Sequence, residues 1–316
     1  LTSADRRLAP DDLFTAERTG AVSNPTSQLT LADQTRGGDA YRSTQRTIAA
    51  HGSATVTPAP ALTLTAGARY EAFEQTIRDT SIGAPRDAAR RVDADALPSG
   101  SVVLRPRQNV YVRAVYGASV ARPQVREVAP FVYQDYVRRR TVTGNADLER
   151  TYVHNTDLRT EWFPTATEVL AFTLFNKAFR APIEMTVDRA GAVNFVNADA
   201  AQNYGAEFEV QFGLGRFSDR LNGWSAATNV SVIRSRVDLP CDDLNGDDKC
   251  DLQFTDLSRP MAGQAPWVVN ASVGYERPSG KWSIFAYYNV LGATVVEAGI
   301  NGQSDTYEQP IHGLDL

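Results

Sequence analysis

Apolar residues in this chain recur at every second position, stretch after stretch, and almost nowhere at the spacing of a helix face. Leu62, Leu64, Ala66, Ala68, Tyr70 and Ala72 alternate with Thr63, Thr65, Gly67, Arg69 and Glu71. Tyr204, Ala206, Phe208, Val210 and Phe212 alternate with Gly205, Glu207, Glu209 and Gln211, and Val269, Ala271, Val273 and Tyr275 with Asn270, Ser272 and Gly274. The pattern returns at Trp282, Ile284, Ala286, Tyr288 and Val290, and at Ile48, Ala50, Ala54 and Val56. A period of two places successive side chains on opposite faces of a strand, so each stretch is predicted as a β-strand with one apolar and one polar face. A soluble sandwich obeys the same rule with its apolar face turned inward.

Length and connection pattern separate the two. Most runs last about nine to thirteen residues, where soluble strands average about five or six and a tilted bilayer crossing needs about nine to eleven. The connections alternate between short turns, at 57–61, 105–109, 163–166, 214–221 and 277–280, and long polar segments, at 79–98, 120–150, 180–202, 237–265 and 292–311. Short periplasmic turns and long extracellular loops are the habit of outer-membrane barrels. The predicted strands lie near 45–56, 62–78, 99–104, 110–119, 152–162, 167–179, 203–213, 222–236, 266–276 and 281–291, with an eleventh starting at His312. Residues 1–44 read as a further extracellular loop. The expected fold is all-β: an antiparallel up-and-down transmembrane β-barrel, here an open partial barrel of about eleven strands. Phe208, Val210, Val273 and Ile284 should lie on its outer face, and Arg69, Glu207 and Glu209 on its concave side.

Mean hydropathy is only −0.32, and no run approaches the ~20 apolar residues of a membrane helix. That excludes a helical membrane protein but not a barrel, whose strands show lipid only on alternate residues. The net charge of −5 argues against a nucleic-acid partner. The polar faces carry Arg69, Glu71, Arg113, Asp157, Arg159, Glu161, Glu207 and Glu209, more charge than a narrow, self-filled barrel could bury. A wide barrel with a wet or plugged lumen accommodates them, as does a solvated sheet face. His51, His154 and His312 stand far apart, with no nucleophile elbow or zinc signature, so no enzyme is expected.

The only cysteines, Cys241 and Cys250, sit in one acidic segment predicted to lie outside the cell. In that oxidising space a disulfide is the simplest reading, two free thiols the other. Between and beside them Asp243, Asn245, Asp247 and Asp251 fall at positions 1, 3, 5 and 9 of a calcium loop. Asp248 replaces the turn glycine and Phe254 the bidentate glutamate, so such a site would be weak or would draw on Asp256; the alternative is a solvated acidic loop. No other cofactor is expected. Phe131, Tyr133, Tyr136 and Arg138 cluster in the 120–150 segment, with Arg139 and Arg140 behind them. Aromatic and arginine side chains are common binding anchors, so these are candidate ligand contacts. An interfacial aromatic girdle beside lipopolysaccharide-facing arginines reads equally well.

Several segments, in order, resemble TonB-dependent receptors. Leu97-Pro98-Ser99 opens a strand leading to Ala121-Arg122-Pro123, Arg126-Glu127 and Ala129-Pro130-Phe131. Asn145-Ala146-Asp147-Leu148 precedes Asn155-Thr156-Asp157-Leu158 and Glu161-Trp162-Phe163-Pro164. Phe175-Asn176-Lys177 with Pro182-Ile183-Glu184, then Asn203-Tyr204-Gly205-Ala206-Glu207 and Tyr288-Asn289-Val290-Leu291-Gly292, complete the set. The resemblance runs from about Tyr41 to the end of the chain. It implies a barrel of about 22 strands with an N-terminal plug, in the outer membrane of a Gram-negative bacterium, importing a small scarce nutrient with energy from the TonB complex. The ligand stays open among siderophore, cobalamin, carbohydrate and peptide. On this reading the chain, which opens on Leu1-Thr-Ser-Ala rather than a secretion signal, starts in mid-protein. Plug, TonB box and last barrel strands are expected outside it. A secreted β-rich binding or adhesion module and a passive porin are the rival readings.

Overall fold

The structure is a computed structural model describing residues 12, 15, 40–80, 86–135, 139–187, 192–239, 258–277, 279–298 and 304–316. Strands β1 (Tyr41–Ala59), β2 (Leu62–Asp79), β3 (Arg86–Arg107) and β4 (Val110–Ala121) are followed by the short β5 (Val132–Asp135) and β6 (Arg140–Thr143). Then come β7 (Thr151–Trp162), β8 (Val169–Arg180), the short β9 (Ile183–Val187) and β10 (Val193–Asn197), β11 (Ala200–Gly213) and β12 (Trp224–Asp238). The two-residue β13 (Ser258–Arg259), β14 (Trp267–Glu276), β15 (Ser283–Leu291), β16 (Thr294–Glu297), β17 (Thr306–Glu308) and β18 (His312–Asp315) complete the order.

One sheet carries the architecture. Its order is β1-β2-β3-β4-β7-β8-β11-β12-β14-β15-β18, with β13 paired to the far end of β12, and every neighbouring pair is antiparallel. Chain order and spatial order coincide, so successive connections fall at alternate ends. The turns after β1, β3, β7, β11 and β14 therefore share one end, and the connections after β2, β4, β8, β12 and β15 the other, with 277–280 opposite 120–150 as the parity predicts. The sheet is not closed: among the described residues β1 and β18 each have a partner on one side only.

Registered partners share a face, which assigns the two surfaces. Trp224, Ala226, Thr228, Val230 and Val232 on β12 stand opposite Tyr275, Val273, Ala271, Val269 and Trp267 on β14. The same surface continues through Phe208, opposite Val230, and through Phe172 and Thr160 to Val112. Phe172 is 43% exposed, Phe208 43% and Val232 60%. An apolar sheet this continuous is not left in water by a soluble protein. On β14 the nine-residue band has an aromatic residue at each end, Trp267 and Tyr275. At ordinary barrel tilt such a run climbs roughly 20 Å, close to the ~25 Å apolar band of outer-membrane barrels with its two aromatic girdles. At the turn end Trp224, Tyr275 and Trp282 pack in series, with centroids 5.2 and 5.3 Å apart. Beyond the other edge the same face becomes polar: Arg46, Glu74 and Arg90 on β1–β3, Asn176 and Gln202 on β8 and β11, Arg234 and Arg236 on β12.

Glycine recurs on the opposite face where an aromatic ring needs the room. A Cβ on Gly205 would meet Val232 O at 2.2 Å and Phe175 Cζ at 2.9 Å; one on Gly274 would meet Phe285 Cδ1 at 2.2 Å. Phe175 and Phe285 are the registered neighbours of these glycines, so each ring lies over the bare backbone beside it. Gly205→Ala should lower stability by about 1–3 kcal/mol through overpacking; an unchanged urea midpoint would contradict this.

Two expectations are corrected. Residues 86–98 of the segment read as loop are strand: β2 and β3 continue past the apolar band as a tall hairpin, paired from Leu62↔Leu104 to Asp79↔Arg86. Its upper part alternates alanine and charge because neither face meets lipid there, so the apolar signal fades while the strand persists. Strand β1 begins at Tyr41, inside the segment read as loop, because Tyr41 pairs with Asp79 on that hairpin.

Candidate functional site

Two regions carry the chemistry: the charged face of the sheet, and a cap built from the long connections. On the charged face Glu161 of β7 accepts from Arg113 Nε of β4 at 2.7 Å and from Arg159 Nε at 2.8 Å. Arg159 Nη2 reaches over β8 to Glu209 of β11 at 2.6 Å, and its Nη1 donates to Thr173 on β8 at 3.1 Å. Side chains two strands apart meet in this way where a sheet curves toward them, which marks the charged face as the concave one. Glu207 lies on it too, accepting from Ser231 Oγ at 3.3 Å.

Where this face leaves the apolar band, a charge ladder fastens the β4–β7 connection to the tall hairpin. Arg122 Nη1 donates to Glu71 at 2.8 Å and its Nη2 to Asp95 at 2.7 Å. Arg150, at the other end of that connection, donates to Asp95 at 2.5 Å and to Asp93 at 2.8 Å. The Asp95 carboxylate has no solvent exposure, and the Arg122 guanidinium stacks 4.6 Å from the Phe73 ring centroid. Both ends of a long excursion are thus anchored on one buried acid. Arg69 Nε closes the ladder on Glu71 at 2.7 Å.

The excursions also fasten to one another. In a four-stranded sheet of order β5-β6-β10-β9, β6 from one connection pairs in parallel with β10 from the next. Asn145 Nδ2 donates to Phe195 O at 3.0 Å, and Asn197 Nδ2 to Glu149 O at 3.0 Å and Ala181 O at 2.8 Å. Arg140 Nη1 ties this sheet to Glu297 of β16 at 2.5 Å, and Gly263 N donates to Val295 O at 2.8 Å. A pair buried on both sides links β9 to β13: Arg259 Nη2 and Glu184 Oε2 lie 2.8 Å apart with 2% and 3% of their side chains exposed. Burial pushes the Glu184 carboxyl above its ordinary 4.5, an effect Arg259 only partly offsets. A carboxyl raised in the folded state contributes stability that is complete below about pH 4.5 and is lost as pH rises through the raised value. Hydrogen-exchange protection factors of β9 should therefore be higher at pH 5 than at pH 8; the opposite order would contradict this burial.

The sequence candidates fall unevenly on this cap. Phe131 stacks on Tyr41, with centroids 5.3 Å apart, and packs on the buried cluster of Ile77, Val128 and Ala129, so it fastens the loop to the hairpin. Tyr133 lies 5.3 Å beneath the Arg126 guanidinium, and burial raises its hydroxyl above the ordinary value. Tyr136 and Arg138 lie outside the described residues, as do Cys241, Cys250, Asp243, Asn245, Asp247 and Asp251. Sequence reasoning did not single out Asp95, Arg122, Arg150, Glu184 or Arg259 as partners. The available signal was local: Arg122-Pro123 and Arg259-Pro260 each come where a run of strand ends, and each arginine pairs with a buried carboxylate.

Comparison with known proteins agrees with this architecture. The FrpB iron transporter of Neisseria meningitidis superposes with a TM-score of 0.55 at 15% identity, over 85% of this chain and 37% of that one. The ferric yersiniabactin uptake receptor FyuA of Yersinia pestis gives 0.56 at 16% identity, over 87% and 38%. The siderophore receptor PiuA of Acinetobacter baumannii gives 0.60 at 11% identity, over 87% and 36%. These likenesses establish the fold, and this chain spans well under half the length of each. No curated protein matches by sequence. Residues 7–313 match the profile described as TonB dependent receptor-like, beta-barrel, and the chain belongs to that family of outer-membrane receptor barrels.

Proposed function

We propose that this chain forms wall and external cap of an outer-membrane receptor that imports a scarce small nutrient with energy supplied through TonB. The observation that carries the reading is the apolar band on the convex face, bounded by aromatic residues and backed by a charged face under a cross-tied cap. The outer edges of β1 and β18 would leave N–H and C=O groups bare in hydrocarbon at several kcal/mol each, so the assembled wall contains more strands than these eleven. A plug within that wall and a TonB-binding segment belong to the same proposal. Iron and siderophores in the structural relatives put ferric chelates first among ligands to try, and Phe131, Tyr133, Tyr136 and Arg138 are the proposed loop contacts.

Uptake decides the matter. With single nutrients limiting, deletion of the coding region should abolish high-affinity uptake of one of them, and collapse of the proton gradient should do the same. Uptake that survives the collapse indicates a passive porin, and a deletion that alters adhesion but no uptake indicates a binding module. The same reading places a disulfide between Cys241 and Cys250 in the β12–β14 connection, so unreduced protein should take up no thiol reagent; quantitative labelling would refute it. Calorimetry at millimolar calcium separates a weak site at Asp243, Asn245, Asp247 and Asp251 from a solvated acidic loop.

A further inference from the structure

On the convex face of β1–β4 the apolar band is hollowed into a groove of about 610 Å³, lined almost wholly by carbon. Ala54, Ala66 and Gly100 are registered in one row across three strands and form its floor. Val56, Leu64, Val102 and Ala114 form the next row toward the turns, with Tyr116 as the side wall. Elsewhere this face presents Phe172, Leu174 and Phe208. The backbone does not demand the hollow: a Cβ on Gly100 would meet only Thr65 O, at 3.4 Å, an ordinary contact. Glycine within a strand weakens it, and its usual reward is the close approach of something else.

The rim at the turn end is basic. Arg105 and Arg107 lie in the last residues of β3, beside the β3–β4 turn, and both are exposed. Arg105 Nη2 is steadied by Pro60 O at 3.0 Å, and Arg107 is registered with Val110, a position on the convex face. Neither has a carboxylate partner among the described residues, and the adjoining segments 57–61 and 105–109 contain no acid. Val102 in the groove lies about 17 Å along the strand from Arg107, near the ~15 Å depth of one leaflet's hydrocarbon.

We propose that this groove, with Arg105 and Arg107, is a binding site for an anionic glycerophospholipid of the leaflet at the turn end. Guanidinium groups bind the phosphate oxygens through charge-assisted hydrogen bonds, and an acyl chain fills the row above Gly100. The inference rests on the membrane-spanning reading given above. Charge complementarity at the rim selects a lipid over a second copy of the chain, whose own groove rim would bring like charges together.

The test is native mass spectrometry of the full-length protein, delipidated in detergent and titrated with phosphatidylglycerol or phosphatidylethanolamine of equal chain length. Phosphatidylglycerol should be retained about tenfold more tightly. Arg105→Gln with Arg107→Gln should remove that preference, and Gly100→Leu should weaken retention of both lipids. Equal retention of the two lipids, or a preference untouched by the arginine changes, overturns the proposal. A dimer that Gly100→Leu abolishes would overturn it in favour of a second copy. If the membrane-spanning reading itself were wrong, convex-face positions would be open to aqueous reagents, an outcome independent of lipid preference.

Discussion

Arginine at Val230 is expected to lower the folding free energy of the full-length protein in lipid vesicles by about 2–4 kcal/mol, whereas arginine at Asn229 should change it by less than ~1 kcal/mol. The two residues are adjacent on β12 but face opposite ways. Val230 lies between Phe208 and Val269 in the middle of the apolar band, and Asn229 between Glu209 and Asn270 on the charged face. A cation in hydrocarbon sheds its hydration with nothing to replace it, while one beside Glu209 keeps water and a counter-charge. Urea titration of both variants measures the contrast. Equal costs would mean that both faces meet the same medium.

The second large effect is expected at the buried pair of the cap. Arg259→Met leaves the Glu184 carboxylate buried without its counter-charge and should cost about 3–5 kcal/mol in the stability of the cap at pH 8. Replacing both residues together, Glu184→Leu with Arg259→Met, should recover most of that loss. Desolvation outweighs attraction at this pair, as the raised Glu184 carboxyl indicates, and apolar packing can replace such a pair with little penalty. Hydrogen exchange across β9 and β13 reads both variants. A double variant as damaged as the single one would show that the pair has a role beyond satisfying its own charges.

The wall was legible in the sequence because the bilayer forces a simple rule on it. Every residue between Trp267 and Tyr275 or between Tyr204 and Phe212 must choose lipid or lumen, so alternation is strong and the strands fall within a few residues of expectation. Outside the band that rule relaxes. The extension of β3 from Arg86 to Leu97 reads as loop because Asp87, Arg90, Arg91, Asp93 and Asp95 serve water and ion pairs rather than lipid. The short strands β5, β6, β9 and β10 are hidden for another reason: β6 and β10 lie some 50 positions apart, and a four- or five-residue strand carries too few alternations to be read. Ion-pair partners are hidden similarly. The sequence shows that Arg122, Arg150 and Asp95 are charged, but only the fold brings two ends of one excursion onto one acid.

A sheet that is the wall of a membrane-spanning barrel must turn its convex face to lipid along the whole apolar band. Single cysteines placed one at a time from Ala206 to Phe212, in full-length protein whose own cysteines are replaced and which sits in native outer membranes, test this directly. A membrane-impermeant thiol reagent and a lipid-confined one should sort them by parity. Positions 206, 208, 210 and 212 should react only with the lipid-confined reagent, and 207, 209 and 211 should be closed to it. Reaction of the even positions with the aqueous reagent, or no difference between the two sets, would contradict the account.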